Sequence, residues 1–293
     1  MTRIHPCTAI GLLLVLGGAP SARAWGEKGH RIVNTRALTA LPPGLRAWYA
    51  GREGRIREGA VEPDQWRAHD RKEGPRHYVN TELYGELAGI PHDADAALAK
   101  VGGAVFQKAG TVPWVIQDRY RGLVEAFRQG DADKVAEASA WLGHYVADIH
   151  VPLHSTTNHD GQLTDQRGLH SRWESGLVER YADEDAIKPH PAVAEDPQQG
   201  PWVWLSESFA LVPQVLKEDL EAGRGEDRAQ FQRSTGYWRN FWALEGSMVE
   251  RRLTDASQRL SGLWLAAWIE AGRPLPQSSA VKPKSIRARD TLL

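Results

Sequence analysis

Residues 141–154 read Trp141-Leu142-Gly143-His144-Tyr145-Val146-Ala147-Asp148-Ile149-His150-Val151-Pro152-Leu153-His154. Leu142, Val146 and Ile149 recur at helical spacing. With Val135 and Ala138 upstream they predict a helix over 132–149, which Pro152 ends. His144 and Asp148 stand at i and i+4, so both side chains leave the same face. An imidazole and a carboxylate so placed suit two ligands on one metal ion. Taken alone, the pair also fits a hydrogen-bonded couple on a wet helix face. The surroundings favour metal. His154 lies just past the proline stop, and a second i, i+4 pair, His170 and Glu174, follows on the next predicted helix. Upstream, Asp64 and His77 lie in irregular sequence, where binding loops form.

Working outward, helical periodicity dominates and alternating strands are scarce. Helices are expected over 30–41, 113–128, 132–149, about 169–182, 203–221 and 236–271. Pro113 falls near the start of the second of these. The stretch 51–92 is rich in Gly, Pro and charge and reads as irregular. A polar loop spans 155–168, and a Pro-rich linker spans 189–201. No internal repeat and no split in the core is visible. The expected fold is therefore all-α, a single mostly helical domain over 25–273. The segment 274–293, rich in Pro, Ser, Lys and Arg, reads as a disordered tail.

Composition narrows the chemistry. The 293 residues are 41% hydrophobic and 25% charged, which excludes disordered, collagen-like and multi-span membrane classes. One cysteine excludes an intrachain disulfide, a thiolate zinc cluster and a CxxC redox pair. Any metal must be held by His, Asp and Glu. Residues 1–24 read as a secretory signal peptide, with Arg3, an apolar run over 8–19, and a small-x-small site at Ala22-Arg23-Ala24. The apolar run is shorter than the roughly 18 residues a membrane span needs. Cleavage before Trp25 removes Cys7, His5, Arg3 and Arg23 but no acid, taking the formal charge from -1 to -3. The expected product is exported, periplasmic or secreted, and cysteine-free. Such a charge argues against tight binding of long duplex DNA through a basic face. It does not argue against nucleic acid at a site where metal ions carry the positive charge.

Trp25-Gly26-Glu27-Lys28-Gly29-His30 follows the cleavage site directly. Taken with His144-x-x-x-Asp148 and Pro152-Leu153-His154, it gives an ordered and specific pattern. On these motifs the chain resembles the superfamily that joins bacterial zinc-dependent phospholipase C with fungal-type single-strand-specific nucleases, from Trp25 to about Glu174. The resemblance implies a cleft holding three zinc ions. Carried over, Asp64, His77, His144 and Asp148 would hold the first. His154, His170 and Glu174 would hold the second. Trp25, through its freed α-amine and carbonyl, would hold the third with His30 and Asp148. Nitrogen and oxygen ligands suit zinc, although manganese or iron is also compatible with the set.

The resemblance further implies hydrolysis of phosphate esters by a zinc-bound hydroxide, with Asp64 orienting the nucleophile. Arg67, three residues after Asp64, is the candidate phosphate clamp. It also suits a surface ion pair with Asp70 or Glu62, and the sequence leaves both readings open. Tyr78, Asn80 and His159 are candidate substrate contacts, while His150 reads as a supporting residue. The opening motif and Arg67 favour the nuclease branch, hence a nuclease or 3′-nucleotidase-like phosphodiesterase acting on single-stranded nucleic acid or nucleotides. Glu174, where that branch usually has Asp, and Gly168-Leu169-His170-Ser171 look more like phospholipase C, which acts on phospholipid head groups. A non-catalytic, metal-binding exported protein is the third reading.

Overall fold

The structure is a computed structural model that describes residues 25–276. The expected signal peptide, 1–24, and the expected tail beyond 276 lie outside the described residues. Within them the chain is all-helical, with no strand, and no helix is long and apolar enough to cross a membrane. Five long helices carry the core: α1 (Gly26–Thr39), α2 (Val112–Gln129), α3 (Ala132–Ile149), α4 (Gly200–Ala222) and α5 (Thr235–Glu270).

Local chemistry sets their ends. Asp131 caps α3 by accepting from the backbone N–H groups of Asp133 and Lys134, and Ser234 caps α5 at Tyr237 N. Pro113 and Pro201 occupy the first turns of α2 and α4, where the missing N–H costs no helical bond. Gly130, at a φ of 73°, closes α2.

α3 lies at the centre, packed against α1, α2, α4 and α5. Its length from Ser139 to Ile149 is buried except at Trp141. This placement takes His144 and Asp148 out of water, where their polar atoms need partners. Gly143 makes it possible: a Cβ there would sit 1.9 Å from Asn34 Oδ1 on α1. Asn34 in turn donates to the carbonyls of Ile56 and Ala140.

The stretch 51–92 is more ordered than its broken periodicity predicts. It holds short helices at Glu53–Gly59 and Glu62–Trp66, and tight turns around Gly74–His77 and Thr81–Tyr84. Two more short helices, Ala94–Val101 and Gly103–Ala109, had no counterpart in the sequence reading. Residues 77–80 dock on the rest by backbone bonds, Val79 N to His154 O and Asn80 N to Ala109 O. Gly110, at a φ of 85°, lets Tyr78 O approach where a Cβ would lie 2.2 Å away. At the far end, the carbonyl of Pro274 accepts from both indole N–H groups of Trp48 and Trp268.

Candidate metal centre

Five segments converge beneath one cleft. The start of α1 brings Trp25 and His30, the irregular stretch brings Asp64 and His77, and α3 brings His144 and Asp148. The turn after α3 brings His154, and the short helix 169–181 brings His170 and Glu174. That last helix widens into π-helical turns over Arg172–Leu177, which carry Glu174. Single π-turns are frequent at functional sites.

Asp148 is the hub. Its Oδ2 lies 2.9 Å from His77 Nδ1 and 3.3 Å from His144 Nε2. Its Oδ1 lies 3.6 Å from His30 Nε2 and 3.7 Å from His154 Nδ1. Asp64 Oδ1 lies 3.8 Å from His77 Nδ1. Glu174 forms a second focus, with Oε2 2.9 Å from His170 Nε2, 3.3 Å from His154 Nε2 and 3.2 Å from Trp25 N. Among the described residues, three groups have ligand atoms within 4.8 Å of one another: His30, Asp64 and His144; His77, His144 and Asp148; His154, His170 and Glu174.

Several of these atoms are buried without a hydrogen bond: both ring nitrogens of His30, Asp148 Oδ1, His170 Nε2 and Glu174 Oε1. Buried polar atoms are otherwise nearly always paired. Lone pairs and carboxylate oxygens that face one another unpaired fit a set of cations between them, and the donor set of imidazole and carboxylate fits zinc. Outer partners fix the rings as well. His144 Nδ1 donates to Ala60 O, and His154 Nδ1 to His77 O.

The electrostatics follow from burial and crowding. Burial alone would raise the Asp148 carboxyl, yet His144 and His77 hold it well below the usual carboxylate range. Burial and the neighbouring His144 hold His30 well below the usual imidazole value. His77 goes the other way: burial opposes its charge, but Asp148 and Glu73 push it up to about 9. The centre therefore stores negative charge that protons balance when no metal does.

Trp25 occupies the left-handed region at a φ of 43°, a strained place for a bulky residue. It is fully buried, with its indole N–H on Ala147 O and its ring 5.2 Å from that of Trp173. Above the centre opens a cleft of about 1340 Å³, lined by His77, His154 and His170 and flanked by Lys28, Arg31, Arg57 and Arg67. Tyr78, Asn80 and His159 also line it. The guanidinium of Arg67 donates to Asp64 Oδ1 at 3.3 Å. Glu62, one of its two expected surface partners, is held by Arg55 and the indole of Trp141.

His150 faces away from the cleft. It donates from Nδ1 to Val146 O and accepts from Arg259, a supporting position. His69, His92 and His190 are exposed. Sequence reasoning missed Glu73, which is buried beside His77, and the ion pair of Arg172 with Asp219 that ties helix 169–181 to α4. Arg172 and Asp219 lie 47 residues apart and carry no sequence signal, whereas Glu73 stands four residues before His77, a spacing that could have flagged it.

Fold and site together define a class: a helical protein whose buried histidines and carboxylates gather into adjoining metal-capable sets under one cleft. The S1/P1 nuclease family model matches residues 25–270, and the chain belongs to that family. It is thereby a phosphoric ester hydrolase of nuclease type. No curated protein matches it.

Proposed function

We propose that this chain is an exported, zinc-dependent phosphodiesterase that cleaves single-stranded nucleic acid or nucleotides and works in a form processed to begin at Trp25. The observation that carries the reading is the convergence of buried ligand atoms from His30, Asp148, His170 and Glu174, several without a hydrogen bond, beneath a broad cleft lined by His77, His154 and His170. In this reading Asp64, His77, His144 and Asp148 hold one zinc ion and His154, His170 and Glu174 a second. Trp25, His30 and Asp148 hold a third. Bound zinc supplies positive charge against the phosphate and lowers the pKa of a water molecule.

The chain's own groups do the rest. Asp64 orients the attacking water. Arg67, anchored on Asp64 and facing the cleft, offers its fork to a phosphate oxygen and favours the charged transition state. The half-buried ring of Tyr78 offers a stacking face to a base, and Asn80 and His159 border the same space. The cleft exceeds the roughly 300–1,000 Å³ usual for small-molecule sites, which suits a polymer strand. A free α-amine at Trp25 is a neutral ligand near neutral pH, whereas an amide nitrogen is not.

The test is a side-by-side assay of mature protein on single-stranded DNA, RNA, a 3′-nucleotide, phosphatidylcholine and a bis-aryl phosphate, with and without chelator. Chelator-sensitive cleavage of the nucleic acids is expected. Cleavage of the lipid alone would sink the nuclease reading, and indifference to chelator would sink the metal. Protein carrying one extra residue ahead of Trp25 should bind less zinc. Equal zinc content and activity would remove Trp25 from the ligand set.

A further inference from the structure

Glu73 belongs to none of the ligand sets above, yet only 1% of it is exposed, four residues ahead of His77. A carboxylate so buried requires hydrogen-bond donors. The hydroxyl of Tyr145, the residue after His144, donates to Oε1, and Arg76 Nη1 donates to Oε2 at 2.7 Å. The same Oε1 lies 3.4 Å from His77 Nε2, which makes no hydrogen bond. The opposite edge of the ring meets different company, with Nδ1 turned to Asp148, Asp64 and His144. Arg119 braces the arrangement from outside, its guanidinium 5.6 Å from the Tyr145 ring centre.

A neutral imidazole carries one proton, and whichever nitrogen keeps it cannot ligate. Glu73 is the carboxylate that faces Nε2, and its two donors, Tyr145 and Arg76, hold it ionised. A proton on Nε2 leaves the lone pair of Nδ1 facing the cluster. We propose that Glu73 is a positioning residue that keeps the His77 proton on Nε2 and so presents Nδ1 to a metal ion. This rests on the reading of His77 as a ligand.

The test titrates Zn²⁺ into metal-free wild-type protein, Glu73→Gln and Tyr145→Phe against a chromophoric chelator. Thermal melts of the metal-free forms and the nitrogen-15 resonances of His77 accompany it. Gln keeps the shape of Glu73 and can still accept from Tyr145, but loses the charge. Glu73→Gln should bind zinc about 10–100-fold more weakly, with a smaller loss for Tyr145→Phe. The His77 proton should reside on Nε2 in zinc-loaded wild type.

Unchanged zinc affinity in Glu73→Gln, with a lower metal-free melting temperature, would make Glu73 merely structural and overturn the proposal while leaving the ligand reading intact. A wild-type protein that binds no zinc would overturn both. Should Glu73→Gln fail to fold, Tyr145→Phe decides alone, and unchanged affinity there counts against the proposal.

Discussion

Asp148 sits within 3.7 Å of nitrogens from four histidines, so its two oxygens serve different neighbours at once. Asp148→Asn replaces one of those oxygens by a donor and removes the charge. In the proposed ligand scheme this variant should lose more than one zinc ion per chain by elemental analysis, and loss of only one would show that Asp148 serves a single ion. Gly143 tests packing at the same scale. Gly143→Ala pushes a methyl group onto Asn34 Oδ1, and overpacking of this kind costs about 1–3 kcal/mol. Thermal melting should show a clear drop, and an unchanged melting temperature would mean that α1 and α3 can move apart. Residues of this scale were unevenly legible. His144, Asp148, His154, His170 and Glu174 announced themselves by type and spacing. Glu73 shares the i, i+4 spacing with His77 but lies in a stretch without helical periodicity, and its burial depends on Tyr145, 72 residues away in sequence.

The short helix 169–181 is where local sequence and long-range packing meet. Arg172 binds Asp219 on α4 while also donating to the carbonyls of Gln166 and Arg167. One guanidinium thus ties the 155–168 loop, the helix bearing His170 and Glu174, and α4 together. Asp219→Ala leaves that buried charge unpaired, and breaking a buried pair from one side costs about 3–5 kcal/mol. Amide exchange over 155–168 should quicken along with the loss of stability. Exchange confined to its wild-type rate would show that the loop's internal bonds suffice. The long helices were legible to within a few residues because each buries a broad apolar stripe. Ala94–Val101 and Gly103–Ala109 were not, since each buries a single residue and so carries almost no period. The π-turns at 172–177 were invisible because an i, i+4 spacing says nothing of whether the backbone bonds skip one residue more.

Across the whole molecule, metal and protons both bear on stability. In the proposed reading, chelation removes ligands that bind only the folded state, so it should lower the melting temperature and abolish phosphodiester cleavage, with both restored by zinc. A melting temperature indifferent to chelator would mean that the metal contributes nothing to the fold. A second dependence comes from Glu245 on α5, whose Oε2 accepts from the indole of Trp173 at 2.8 Å. Burial, and then the nearby carboxyl of Glu218, push Glu245 up to about 8 from an ordinary 4.5. Between those values the folded protein holds a proton that the unfolded chain releases, so this group makes stability fall as pH rises from about 4.5 to 8 and level off above. Glu245→Gln should therefore melt like wild type near pH 4.5 and be more stable by roughly 1–3 kcal/mol at pH 8. Equal melting temperatures at both pH values would show that Glu245 ionises freely in the fold.

The carbonyl of Pro274 has a practical meaning for handling the molecule. It is the last point at which the described chain is fastened, and two indoles hold it: Trp48, fully buried, and Trp268 on α5. A version cut before Pro274 leaves both donors without their acceptor, at about 1–3 kcal/mol for each one buried. One fixed to a bead or a force probe through residues after Pro276 loads that double clasp first. Pulling from this end strains the base of α5 before it reaches the cleft, which makes the carboxyl end the side by which to hold this protein at work.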